Sequence, residues 1–268
     1  MSIRADYDLK ALPAGLPVVL TGATGGIGTA IAERLVADGV PVILAVRSEE
    51  KFNALRSSLM RRLPDARVEY VHLDLNDSRS VVEAVNALKG RSLAGIINNA
   101  GVMMRHFELS PDGPETTLNV NFFNTRLFNL LLLPQVATGG GIVFTTSLTR
   151  LTGRRSNLPT SVSEESFGQL KTYALSKKLI TLFAAEFAPT AAAEGVKVNC
   201  ADPGVVDSGM ISMGRWYDPL ANILFRPLIR RPSNGAVPSL RALSSPLHGQ
   251  IFTLRRAFPI LDHENRLE

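Results

Sequence analysis

Short β-branched and aliphatic runs recur along the chain, from Pro17 to Thr21, Val42 to Val46, Val68 to Leu73, Ala94 to Ile97, Ile142 to Thr146, Val196 to Ala201 and Gln250 to Thr253. Between them lie segments of helical period, such as Ile27 to Ala37 and Val81 to Leu88. Strands separated by helix-length segments call for right-handed crossovers and a mainly parallel sheet. The pattern therefore predicts an α/β, doubly wound architecture, a seven-stranded sheet flanked by helices. No Pro/Gly/Ser-rich linker, repeat or low-complexity stretch divides it, and 268 residues with 45% apolar content can bury a substantial core. One domain over residues 1–268 is expected.

Two places break the alternation: a polar insertion from about Thr149 to Glu165 and a Pro-bounded segment from Met210 to Pro232. Both follow strands, and in open α/β sheets ligands bind beyond the carboxyl ends of strands, so both are expected to border the active site. Within the second segment, Asp218 can cap a short helix, Pro219 suits its first position and Pro227 stops it. Leu220, Ile223 and Leu224 share a face that would close over a lipophilic substrate, which makes 210–232 a candidate lid. Arg226, Arg230 and Arg231 read as a solvated charged edge.

The net charge of +5 narrows the picture only a little. Lys and Arg are scattered, with no basic run, zinc-finger or aromatic-interleaved pattern, which argues against nucleic acid. The single cysteine, Cys200, lies in an apolar run and reads as a buried inert thiol in a reducing, cytoplasmic setting. No 18-residue apolar run or signal-peptide pattern is present, so no membrane span is expected. His72, His106, His248 and His263 lack ligand-like companions, and no metal is predicted.

The chemistry concentrates at strand ends. Thr21-Gly22-Ala23-Thr24-Gly25-Gly26-Ile27-Gly28 joins the first strand to a helix start, where glycines let the backbone turn tightly and free N–H groups favour a pyrophosphate. The second strand ends Ala45-Val46-Arg47-Ser48, with no acidic residue for a ribose 2′-hydroxyl but a guanidinium and a hydroxyl suited to a 2′-phosphate. The fourth runs into Asn98-Asn99-Ala100-Gly101, a turn with Gly101 free to adopt positive φ. The fifth ends at Ser147, where a hydroxyl can meet a substrate carbonyl oxygen. Tyr173 and Lys177 fall one turn apart in the helical stretch Gln169 to Phe187. An ammonium there is expected to favour the phenolate of a tyrosine whose ordinary pKa is about 10.

Gly22-x-x-x-Gly26-x-Gly28, Asn-Asn-Ala-Gly, Ser147, Tyr173-x-x-x-Lys177 and Pro203-Gly204 stand in the order and with the spacing of the short-chain dehydrogenase/reductase family, which the chain resembles from Val18 to Ser208. The resemblance implies a Rossmann-type fold and hydride transfer between nicotinamide and a carbonyl carbon. It implies Ser147 on the carbonyl oxygen, Tyr173 as proton donor, Lys177 also on the nicotinamide ribose, and Asn121 in a proton relay. Asn121 is matched by counting back from Pro134, with Asn119 and Asn124 as alternatives. The implied cofactor contacts are Gly22, Thr24, Gly26, Ile27, Gly28, Arg47, Ser48, Asp74, Leu75, Asn99, Ala100, Gly101, Tyr173, Lys177, Pro203, Gly204, Val206 and Ser208. NADP(H) is expected as the preferred cofactor, with NAD(H) second, and a small carbonyl or alcohol as substrate. Ser147 and Tyr173 lie 26 positions apart, roughly double the spacing in many members. With Ala45-Val46-Arg47 and Asn98 to Met103, this resembles the branch of retinol dehydrogenases and WW-domain-type oxidoreductases. Kinship of that kind also implies a homodimer or homotetramer. A non-catalytic NADP(H) sensor is the alternative, opposed by the intact Asn-Ser-Tyr-Lys set. A sugar-nucleotide epimerase is opposed by the spacing of the glycine loop.

Overall fold

A computed structural model describes residues 7–151, 158–204 and 231–260. Its elements are β1 (Val18–Thr21), α1 (Gly26–Ala37), β2 (Val42–Val46), α2 (Glu49–Arg62), β3 (Val68–His72), α3 (Ser78–Ala87), β4 (Leu93–Asn98) and α4 (Thr116–Leu118). They continue with α5 (Asn124–Leu132), β5 (Val136–Thr145), α6 (Gln169–Ala193), β6 (Lys197–Ala201), α7 (Pro232–Ser244), β7 (Gln250–Phe252) and β8 (Ala257–Pro259). The strands form one sheet in the order β3-β2-β1-β4-β5-β6-β7-β8, parallel throughout except for β8, which pairs antiparallel with β7.

Successive residues of a strand face opposite sides of the sheet. In β1 the consequence is visible: Val19 joins one core cluster with Val81, Phe128 and Ile180, while Val18 and Leu20 join another with Ile31, Phe52 and Leu240. Helices α3, α5 and α6 thus cover one face and α1, α2 and α7 the other. The chain leaves β1 toward β2 on one side and resumes at β4 on the other, so the crevice between the β1 and β4 ends is a topological switch point.

Three features depart from the sequence pattern. β5 starts at Val136, six residues before the apolar run, because Gly139-Gly140-Gly141 interrupts the hydrophobic signal; its pairing with β4 begins at Val136–Leu93, shifts register, and resumes at Gly141–Gly95. β8 is an additional strand of three residues that carries no periodicity of its own. α6 continues past Phe187 to Ala193 with Pro189 inside it.

A glycine pair sets how closely α7 approaches. A Cβ on Gly95 would lie 2.8 Å from Leu243 Cδ1 and 2.4 Å from the Gly141 carbonyl oxygen, and one on Gly141 would lie 3.0 Å from the Leu243 carbonyl oxygen. Leu243, itself fully buried, therefore seats α7 directly on the middle of the sheet.

Candidate active site

The glycine turn and the turn after β4 are interlocked. Thr21, buried at the end of β1, accepts through Oγ1 from the N–H groups of Asn99 (3.1 Å) and Ala100 (3.0 Å). Asn99 Nδ2 donates in return to the carbonyl oxygens of Thr21 (3.2 Å) and Gly22 (3.0 Å). Gly22 has φ +65°, and a Cβ there would meet Ala100 Cα at 2.7 Å. A Cβ on Gly28 would lie 2.2 Å from the Gly22 carbonyl oxygen. Gly22 excludes a side chain by contact and by backbone conformation, and Gly28, in helical backbone, by contact alone. Helix α1 then starts with Gly25 as a cap that offers no side-chain acceptor, which leaves its first N–H groups for a ligand. Asn98 faces the core instead, in a reciprocal amide pair with Asn129 (2.9 and 2.8 Å).

These turns open on a cleft of about 760 Å³. Every described residue expected to contact cofactor lines it: Gly22, Thr24, Gly26, Ile27, Gly28, Arg47, Ser48, Asp74, Leu75, Asn99, Ala100, Gly101, Tyr173, Lys177, Pro203 and Gly204. Val206, Ser208 and nearly all of the 210–232 segment lie outside the described residues, as do residues 152–157 of the insertion. At the rim Arg47, 75% exposed, lies 3.8 Å from the Asp74 carboxylate. An ion pair this exposed contributes little and leaves the guanidinium available. Ser48 caps α2, its Oγ accepting from the Lys51 N–H at 3.2 Å, which leaves its own proton to donate. Lys51 also lines the cleft, four positions after Arg47, a contact the sequence reading missed.

Deeper in the cleft, Tyr173 and Ser147 line the same wall, and the Ser147 hydroxyl acts on the Tyr173 phenol. Burial pushes the phenol up to about 12, the Asp202 carboxylate adds to the rise, and the Ser147 hydroxyl lowers it only in part. Lys177 Nζ lies 5.7 Å from the centroid of the Tyr173 ring and donates to the Thr145 carbonyl oxygen at 2.9 Å. Burial lowers its pKa to about 8, against the opposing influence of Cys200 and Asp202. The phenol stands above its ordinary value because removing it from water outweighs the Ser147 contribution.

The description "short chain dehydrogenase" matches residues 17–215. The chain belongs to the short chain dehydrogenase family. It is 31% identical over 258 residues to polyprenol dehydrogenase of Mus musculus, covering 91% of this chain and 76% of that one. It is 31% identical to retinol dehydrogenase 12 of Homo sapiens, covering 89% and 78%. Among solved structures, one from Beutenbergia cavernae, provisionally assigned as an NAD(P) dependent gluconate 5-dehydrogenase with NADP bound at low occupancy, superposes with a TM-score of 0.72. Identity to it is 25%, and the match covers 91% of this chain and 96% of that chain. As a short chain dehydrogenase of the branch that holds these relatives, the protein is an oxidoreductase acting on alcohol or carbonyl groups.

In this short chain dehydrogenase Asn121 lies in a π-helical turn, Asn119–Phe123, between α4 and α5. Such turns are rare and favour functional sites. Its amide grips the strand-four loop at both ends: Oδ1 accepts from the Val102 N–H and Nδ2 donates to the Val102 carbonyl oxygen, each at 2.8 Å, with Ser176 Oγ at 3.0 Å as a further acceptor. A Cβ on Gly101 would come within 3.3 Å of both Asn121 Oδ1 and Lys177 Nζ. Asn119 and Asn124, the competing assignments, spend their amides on Asp112, at 2.9 and 2.8 Å. The 3-10 turn Leu148–Leu151 carries a residue the sequence reading passed over, Arg150, which pairs with Asp202 at 2.7 Å with both side chains buried. No helix of the described residues is long and apolar enough to cross a membrane.

Proposed function

We propose that the cleft binds NADP(H) and that the enzyme interconverts an aldehyde or ketone with its alcohol, Ser147 holding the substrate oxygen and Tyr173 passing the proton. The reading rests on one observation: Ser147 and Tyr173 line the same cleft as the glycine turn and the α1 N-terminus. A bound nicotinamide dinucleotide would supply or take up the hydride. The glycine turn fits its pyrophosphate, since the backbone there is stripped of side chains by contact and the first N–H groups of α1 carry no side-chain cap. Arg47, Ser48 and Lys51 fit a 2′-phosphate, offering two cations and a hydroxyl at one rim. Lys177, held by Thr145, would hold the ribose of the nicotinamide half. Asn121 acts on the site by fixing Val102, so that the loop from Gly101 stays open to Lys177. A phenol that keeps its proton at neutral pH suits Tyr173 to donating in the reductive direction.

Beyond Tyr173 the cleft wall turns apolar, with Val102, Met103, Met104, Val120 and Leu170. That wall favours a lipophilic substrate, consistent with the polyprenol and retinol named in the relatives. The test is NADPH absorbance followed against a panel of aliphatic, aromatic and polyene aldehydes and ketones. Turnover that rises with the apolar size of the substrate is expected. No turnover with any member, with NADPH still bound, would return the reading to a non-catalytic sensor.

A further inference from the structure

Arg150 is the largest fully buried side chain among the described residues. Its Nη1 donates to the Ser147 carbonyl oxygen at 2.9 Å and to Asp202 Oδ2 at 2.7 Å. Asp202, just past β6, uses its other oxygen to accept from the Gly204 N–H at 2.9 Å, and its own N–H is bonded to Phe252 in β7. One guanidinium nitrogen and one carboxylate therefore connect the residue that carries the reactive hydroxyl to the Pro203-Gly204 turn, both of which line the cleft.

Stability alone does not account for such a pair. Withdrawing two charges from water costs several kcal/mol per ion, and an apolar pair of similar volume often serves a fold as well or better. What the charged pair adds is geometry: Nη1 of a rigid, planar guanidinium reaches the Ser147 carbonyl oxygen and Asp202 Oδ2 together, fixing direction as well as distance. We propose that Arg150 and Asp202 are positioning residues for the reaction, holding the backbone of Ser147 and the Pro203-Gly204 turn in one register so that the Ser147 hydroxyl meets the substrate oxygen beside Tyr173. The proposal rests on the catalytic reading above. Asp202 also faces Tyr173 and Lys177 of α6 and acts on both electrostatically, as Cys200 of β6 does on Lys177.

The test compares wild type with Arg150→Met/Asp202→Leu, Arg150→Lys and Tyr173→Phe, using the best substrate of the panel. The double variant is expected to keep its melting temperature within a few degrees and its NADPH affinity, read by nicotinamide fluorescence, within threefold, while kcat falls ten- to a hundredfold. A double variant that folds and keeps kcat within threefold overturns the proposal, because the pair is then merely structural. Should the double variant fail to fold, Arg150→Lys decides: it keeps the charge and loses the planar guanidinium that spans Ser147 and Asp202, and kcat is expected to fall at least fivefold, an unchanged kcat being the overturning result. Tyr173→Phe separates the two readings, since activity retained there defeats the catalytic assignment itself.

Discussion

Lys177 Nζ lies beneath the Tyr173 ring, 5.7 Å from its centroid, yet its hydrogen bond runs to the Thr145 carbonyl oxygen. Both groups are shifted by burial, in opposite directions on the pH scale: the phenol up to about 12 and the ammonium down to about 8. The neutral forms of both are favoured, because each charge would be removed from water.

The pH dependence of reduction follows. The ratio kcat/KM for NADPH reports groups of the free enzyme. Tyr173 keeps its proton across the working range, whereas Lys177 loses its proton as pH rises through about 8. Reduction is therefore expected to be level from about pH 6 to 7.5 and to fall by about tenfold per pH unit above 8, as a single proton loss requires. A profile that rises through pH 9 would contradict this assignment.

Stability should respond to Lys177 with a definite sign. The unfolded chain holds the lysine proton up to the ordinary 10.5 and the folded one only to about 8. Stability of the wild type thus rises with pH between these values, and the cost of burying the charge is fully present below 8. That difference corresponds to about 3 kcal/mol, against about 1 kcal/mol for the hydrogen bond to Thr145. Lys177→Met should be more stable than wild type at pH 7 by about 1–2 kcal/mol while losing activity. Denaturant unfolding at pH 6, 7.5 and 9.5 should show the advantage shrinking as pH rises.

Tyr173→Phe keeps the ring and removes the proton donor. Loss of a general acid typically lowers the rate by about 10²- to 10⁴-fold. Single-turnover reduction should show that loss, with NADPH affinity within about threefold of wild type, because the glycine turn and Arg47 are untouched. Residual activity within tenfold of wild type would remove Tyr173 from the chemistry.

Cofactor choice should turn on Arg47. A charge-assisted hydrogen bond contributes about 1.5–3 kcal/mol, so Arg47→Ala should weaken NADPH by roughly ten- to a hundredfold relative to NADH. Lys51 at the same rim retains part of the preference. Arg47→Asp places a carboxylate against the phosphate and should bring the ratio of the two kcat/KM values to parity or invert it. A ratio within twofold of wild type in Arg47→Ala would assign discrimination elsewhere.

Sequence legibility followed the reach of the interactions. The glycine turn was readable because contacts within a few residues, such as that between Gly28 and Gly22, forbid side chains. Strands β1, β2 and β4 were readable because every position in them is buried. The start of β5 was hidden by its three glycines, and β8 by its brevity. Asn121 could be located by its helix, but its role depends on Val102 and Ser176, 19 and 55 positions away. Arg150 stands in a stretch read as a polar insertion bordering the active site, and only Asp202, 52 positions on, shows why it is buried. The upward position of the Tyr173 phenol likewise depends on enclosure, which a Tyr-x-x-x-Lys spacing does not encode.

The seat that Gly95 and Gly141 provide for α7 reaches beyond packing. The stretch from 205 to 230 is flanked on one side by Gly204, tied to Asp202, and on the other by a helix clamped to the strands that end in Asn98 and Thr145. Between two fixed posts, lengthening a connection costs only about 0.6 kcal/mol per doubling. The posts themselves are set by the sheet that carries the cleft, whatever length of chain joins them.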